Sequence, residues 1–162
     1  MNDQPRETVD RQDQPPARTL QDLGIEDGDL RLEVFALCES AVEQGGRLSL
    51  LGTYEVVQTT GFPLVLPQVT VVLRVRFWPA ESRGHALRLV LTGPDGAVVG
   101  APVEVMARLQ PVCGERSAAY NLIAQMHNLR IEEAGEHTFD FYLDGKIEGR
   151  LPLCVNPVVA QT

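Results

Sequence analysis

Residues 134–153, Ala-Gly-Glu-His-Thr-Phe-Asp-Phe-Tyr-Leu-Asp-Gly-Lys-Ile-Glu-Gly-Arg-Leu-Pro-Leu, read as one β-hairpin, and that hairpin limits what the chain can fold into. His137, Phe139, Phe141 and Leu143 fall at every second position, so an extended backbone places them on one face. Thr138, Asp140 and Tyr142 take the other face. Asp144-Gly145 supplies the residue pair that a tight type I′ turn requires, because both central positions need positive φ. The return strand runs Ile147 to Val155, with Leu151 and Leu153 in phase. A lone hairpin is marginal in water, so this one must pack against more sheet.

The rest of the chain supplies that sheet. Leu32, Val34 and Ala36 alternate with Arg31, Glu33 and Phe35, and a turn at Gln44-Gly-Gly46 leads into Arg47–Val57. Gly52 marks a bulge or a close backbone approach inside that second run. Residues 59–67 form an apolar segment between two prolines, expected to be a loop stretched across the end of the sheets. Val69, Val71, Leu73, Val75 and Phe77 then define a core face, with Thr70, Val72, Arg74 and Arg76 opposite, up to Trp78-Pro79. His85, Leu87, Leu89 and Leu91 repeat the alternation, and Gly93-Pro-Asp-Gly96 turns the chain into Val98–Leu109. Residues 117–131 fit two periods. Ala119, Leu122, Ile123 and Met126 match a helix face, whereas Tyr120, Leu122, Ala124 and Met126 match a strand; length and alanine content favour helix, and the setting between two β regions favours strand.

About eight strands joined by Gly, Pro, Asn and Asp turns make an all-β chain. The expected architecture is an antiparallel two-sheet β-sandwich of immunoglobulin-like or related Greek-key topology. It spans residues 29–157, between a disordered N-terminal tail (1–28) and a short C-terminal tail (158–162). The N-terminal piece Met1–Asp29 holds eight acids against three bases and few apolar residues, so it cannot bury enough surface to offset its ordering entropy. Thr19 to Gly24 has the caps of a short helical turn that needs a docking surface to persist.

Composition narrows the function classes. A net charge of −8, with thirteen scattered Arg and one Lys, argues against binding a phosphate backbone, so no nucleic-acid partner is expected. No apolar run is long enough to cross a bilayer, and the polar start Met1-Asn-Asp-Gln-Pro differs from a secretion signal, so a cytoplasmic protein without a membrane partner is expected. Three cysteines, Cys38, Cys113 and Cys154, do not make a disulfide framework. Cys38 and Cys154 read as small core residues and Cys113 as a loop thiol.

No catalytic constellation emerges. Ser49, Ser82 and Ser117 lack a nucleophile-elbow setting, and neither glycine-rich turn has phosphate-cradling spacing, so no catalytic residue and no cofactor are assigned. His127, Glu132, Glu133 and His137 flank one turn and are the weak candidates for a metal or small-ligand site, with a solvated turn face as the blander reading. Tyr54, Phe62 and Trp78 are aromatic candidates for lining a groove. The expected function is a non-enzymatic protein-binding or assembly module, with an unknown protein partner or self-association. Its contact candidates are Phe62, Leu64, Leu66 and Trp78.

Three stretches carry a resemblance: Leu32-Glu-Val-Phe-Ala-Leu-Cys38 with the Gly-Gly-Arg-Leu-Ser-Leu-Leu-Gly52 hairpin; Phe62-Pro63 leading into Val69–Phe77 with Leu89-Val-Leu-Thr-Gly-Pro-Asp-Gly96; and Asn128-Leu-Arg-Ile with Gly135-Glu-His-Thr-Phe139 and the Asp-Gly turn. Over about residues 31–155 the chain resembles a family of short, uncharacterised bacterial proteins. The resemblance implies a β-sandwich, favours strand over helix at 117–131, and carries no activity to transfer.

Overall fold

The computed structural model describes residues 30–78, 83–108 and 117–158. They form nine strands and no helix: β1 (Arg31–Gln44), β2 (Arg47–Thr53), β3 (Val56–Thr59), β4 (Leu64–Phe77), β5 (Gly84–Thr92), β6 (Val103–Arg108), β7 (Ala118–Ile131), β8 (Gly135–Leu143) and β9 (Lys146–Pro157). The N-terminal tail, including Thr19–Gly24, and the Cys113 loop lie outside the described residues.

Two sheets pack face to face. One has the order β2-β1-β4-β7 and the other β3-β9-β8-β5-β6. The chain changes sheet between β2 and β3, β3 and β4, β4 and β5, β6 and β7, and β7 and β8, which is the immunoglobulin-like Greek-key arrangement. Residues 118–131 are strand along their whole length, paired from Phe77↔Ala118 to Leu64↔Ile131.

Alternation places the core. Val69, Val71 and Leu73 of β4 are fully buried, as are Phe139 and Phe141 of β8 and Leu153 of β9. Phe141 meets the ring of Phe35 edge-on, with centroids 6.2 Å apart, which ties β1 of one sheet to β8 of the other. β9 approaches β1 so closely that a side chain at Gly149 would meet Leu32 at 2.6 Å. The β8–β9 turn has φ of 50° at Asp144 and 83° at Gly145, as its Asp-Gly sequence requires.

Three expectations need correction. The run Arg47–Val57 is two strands, not one. At Tyr54 the chain leaves β2, and β3 then pairs in parallel with β9 in the other sheet, from Val56↔Cys154 to Thr59↔Pro157. Alternation cannot foresee this, because it fixes which face a residue takes and not which edge the strand joins.

Residues 64–67 belong to β4 instead of a loop. Their alternation breaks at Pro67, since Leu64 and Leu66 are out of phase with Val69. β7 breaks phase opposite, at Asn128, whose φ is 53°. Both strands switch face together, so the pairs Leu66↔Leu129 and Gln68↔His127 stay in one register. Pro67 is tolerated because the pairing of β4 with β1 stops at Thr70, leaving no ladder there that needs its missing N–H. Lastly, β6 begins at Val103, not Val98, which makes only an isolated bridge to Thr92.

Phe139→Ala removes a ring buried between the sheets. It is expected to lower unfolding stability by about 3–5 kcal/mol, measured by urea denaturation.

Candidate functional site

The contact candidates do not share a surface. Phe62 is 36% exposed beside the cis Phe62–Pro63 bond, and Leu64 and Leu66 pack their side chains against the core. Trp78 is half-buried beyond the other end of the fourteen-residue β4, roughly 45 Å away at strand rise. Tyr54 lies apart from both, in a groove of about 420 Å3 that it lines with Phe35, Thr53, Glu55 and Leu151. Burial first, then the neighbouring Cys38 and Glu39, pushes the Tyr54 hydroxyl pKa up, which keeps the phenol protonated.

The residues named for a metal are also dispersed. His137 points into the sandwich from β8 and is 1% exposed, with Nδ1 3.3 Å from the Gly135 carbonyl. His127 is exposed on β7 of the other sheet, Glu132 pairs with Arg130 at 2.6 Å, and Glu133 is exposed. Among the described residues, no group of three or more His, Cys, Asp or Glu side chains is placed to hold a metal ion.

One His–Asp pair does form. His85 Nδ1 lies 2.7 Å from Asp144 Oδ2, Arg83 Nη2 lies 3.1 Å from the same oxygen, and the Ala86 N–H donates to Oδ1 at 2.9 Å. The Asp144 N–H in turn donates to the Ala86 carbonyl at 2.8 Å. His85 is 0% exposed behind an Asp144 side chain that is 33% exposed, so the pair does not present its imidazole to solvent. Instead it clasps the β8–β9 turn onto the start of β5.

This clasp sets up a surface that sequence reading missed. Ala86 and Arg88 of β5, Glu104 and Met106 of β6, and Tyr142 and Gly145 of the β8–β9 hairpin line a groove of about 370 Å3 on the outer face of the five-stranded sheet. The Arg88 guanidinium stands 5.9 Å from the Tyr142 ring centroid and 3.1 Å from Glu104. Met106 is 73% exposed at the sheet edge, because β6 pairs only with β5 among the described residues. The available signal was positional: Val103, Val105 and Ala107 take the core side of β6, so Met106 is an apolar residue on the outward side.

Burial pushes the Asp144 carboxyl pKa up, but the Ala86 N–H, His85 and Arg83 outweigh it and hold it below the usual carboxylate range. A depressed carboxyl pKa adds stability above the unfolded-state pKa, about 3.9 for Asp, and that stability is lost as pH falls through the folded value. Glu33 acts in the same sense, because hydrogen bonds from Arg76 and then Arg74 outweigh its partial burial. Asp144→Asn keeps a turn-compatible residue and removes the charge. It is expected to be less stable at neutral pH and to lose stability less steeply on acidification, as measured by urea unfolding across pH. The remaining slope reflects Glu33 and other carboxylates.

The model of the DUF6941 family, a family of unknown function, matches residues 33–156. No protein of curated function matches the sequence. Among solved structures, the fold is similar to the alkylpurine DNA glycosylase AlkC of Pseudomonas fluorescens bound to DNA containing an abasic site analog. The TM-score is 0.46 at 8% identity, over 84% of this chain and 33% of the glycosylase. This chain therefore spans about a third of the glycosylase's length. It is also similar to an immunoglobulin-like protein of Pseudomonas aeruginosa, with a TM-score of 0.34 at 13% identity, over 80% of this chain and 98% of that one.

Proposed function

The chain belongs to the DUF6941 family of unknown function, and from its geometry we propose that the domain is a non-enzymatic protein-binding module that takes an extended segment of a partner along β6. The observation that carries this reading is the exposed Met106 beside the Ala86–Tyr142 groove, on a strand paired along one edge only among the described residues. An incoming strand completes the backbone hydrogen bonds of such an edge, and an adjacent pocket selects its side chains. Ala86, Met106 and the Tyr142 ring supply apolar walls, while Arg88 and Glu104 supply a polar rim.

The reading places the module in the bacterial cytoplasm. Cys38 and Cys154, both free, support that placement. No helix among the described residues is long and apolar enough to cross a membrane.

A photo-crosslinking residue replacing Met106 tests the proposal in the producing cells, with the same probe at the exposed Leu51 as comparison. The expected result is a defined protein adduct from position 106, absent from position 51 and abolished when Ala86→Arg fills the groove. No adduct at 106, or one indifferent to Ala86→Arg, overturns the reading.

A further inference from the structure

We propose that the occupant of the β6 edge is β6 of a second copy, paired antiparallel about a two-fold axis through Met106. The inference rests on the reading of β6 as a binding edge and goes further by naming the partner.

Glu104 and Met106 face outward with Arg88, and Val105 faces inward opposite Leu87, so Arg108 shares the outward side. Around a two-fold axis perpendicular to the sheet, directly opposed residues must lie on the same face. This restricts self-pairing to registers centred on a residue and excludes those centred between two. Centring on Val105 sets Glu104 against Met106 of the second copy, and centring on Ala107 leaves Glu104 outside the central pairs. Centring on Met106 sets Glu104 against Arg108 twice, Val105 against Ala107 twice, and Met106 against itself. In this register the outward charges are complementary, the inward residues are apolar throughout, and the two exposed methionines cover each other at the groove mouth.

Arg108 is exposed and has no ion-pair partner among the described residues, whereas Glu104 reaches Arg88 within its own chain. The strand is charge-neutral although the protein carries −8, so the contact brings no like charges together at its centre. β7 is the longer edge, but it has no Asp, Glu, Lys or Arg from Ala118 to Leu129 to fix a register. Pairing through β6 joins two five-stranded sheets into one continuous sheet. A contact between two six-residue strands is small, so the dimer is reversible.

Sedimentation equilibrium of the full chain, from micromolar to near-millimolar concentration, tests the inference through a charge exchange. Glu104→Arg sets Arg against Arg, and Arg108→Glu sets Glu against Glu, so each variant alone is expected to dimerise on the order of tenfold more weakly. Mixed together, the two variants are complementary and are expected to form a heterodimer of near wild-type affinity. The double variant is expected to recover the homodimer. Both side chains are exposed, and thermal unfolding of each variant confirms that the fold is intact.

A dimer indifferent to these exchanges, or variants that fail to recover on mixing, overturns the inference. A monomeric wild type that still crosslinks through position 106 to a different protein overturns the second copy as partner and retains the binding edge. A monomer with no adduct at 106 overturns both.

Discussion

Burial of the two inner faces against each other is the interaction on which everything else here depends. Phe139 and Phe141 from β8 and Val69, Val71 and Leu73 from β4 leave water completely, and each such side chain contributes about 1.5–3 kcal/mol. The strands of a sheet expose both faces, and only one can meet the other sheet, so period-two alternation decides which residues remain for other uses. The Phe35–Phe141 contact and the absence of a side chain at Gly149 bring the sheets close on the β1–β9 side. What the core leaves outside is then fixed: Arg88, Glu104, Met106 and Tyr142 are outward residues because Leu87, Val105, Ala107 and Phe141 are inward ones.

The hairpin at residues 135–157 was legible apart from the register shift between Phe141 and Tyr142, since its alternation and its Asp-Gly turn state the same structure independently. The β4 core face and the strand at 118–131 were legible for the same reason: a central strand and its neighbour repeat one alternation. Legibility fails where two strands change phase together. Pro67 looks like a breaker when β4 is read alone, and only the pairing with β7 shows Asn128 making the compensating switch. It fails again at β3, whose parallel docking on β9 depends on the path taken at Tyr54 and Glu55, where the Glu55 carbonyl accepts from the Cys154 N–H at 2.7 Å.

The candidate site was less legible than the fold. Apolar residues between prolines drew attention to Leu64 and Leu66, but in the fold they serve the core. Flanking a common turn suggested that His127 and His137 converge, but the turn joins strands of different sheets, so one histidine points in while the other is exposed. The groove instead comes from three strands separated by up to about sixty residues in sequence, held together by the β5–β6 and β5–β8 ladders and, at the turn, by the Asp144 carboxylate. No local pattern announces such a meeting. The residue that did carry a signal was Met106, an apolar side chain on the side of β6 where alternation calls for a polar one.

Edges are the price of an open sandwich. The two sheets end at β2 and β7 and at β3 and β6, and each edge presents backbone groups that need partners. β3 solves this for β9 by adding a short parallel strand from within the chain. β2 is carried as a hairpin extension of β1, closed by the Gly45-Gly46 turn, where the Gly46 N–H donates to Glu43. β7 breaks its own regularity at Asn128. β6 has none of these devices among the described residues. It is short and straight in register with β5, carries one acid and one base at symmetric positions about an exposed methionine, and lies beside a groove. An edge left open by accident has no need of a neighbouring groove or of charges placed symmetrically about its centre. Their coincidence on one strand is the physical reason to regard β6 as the working edge of the domain.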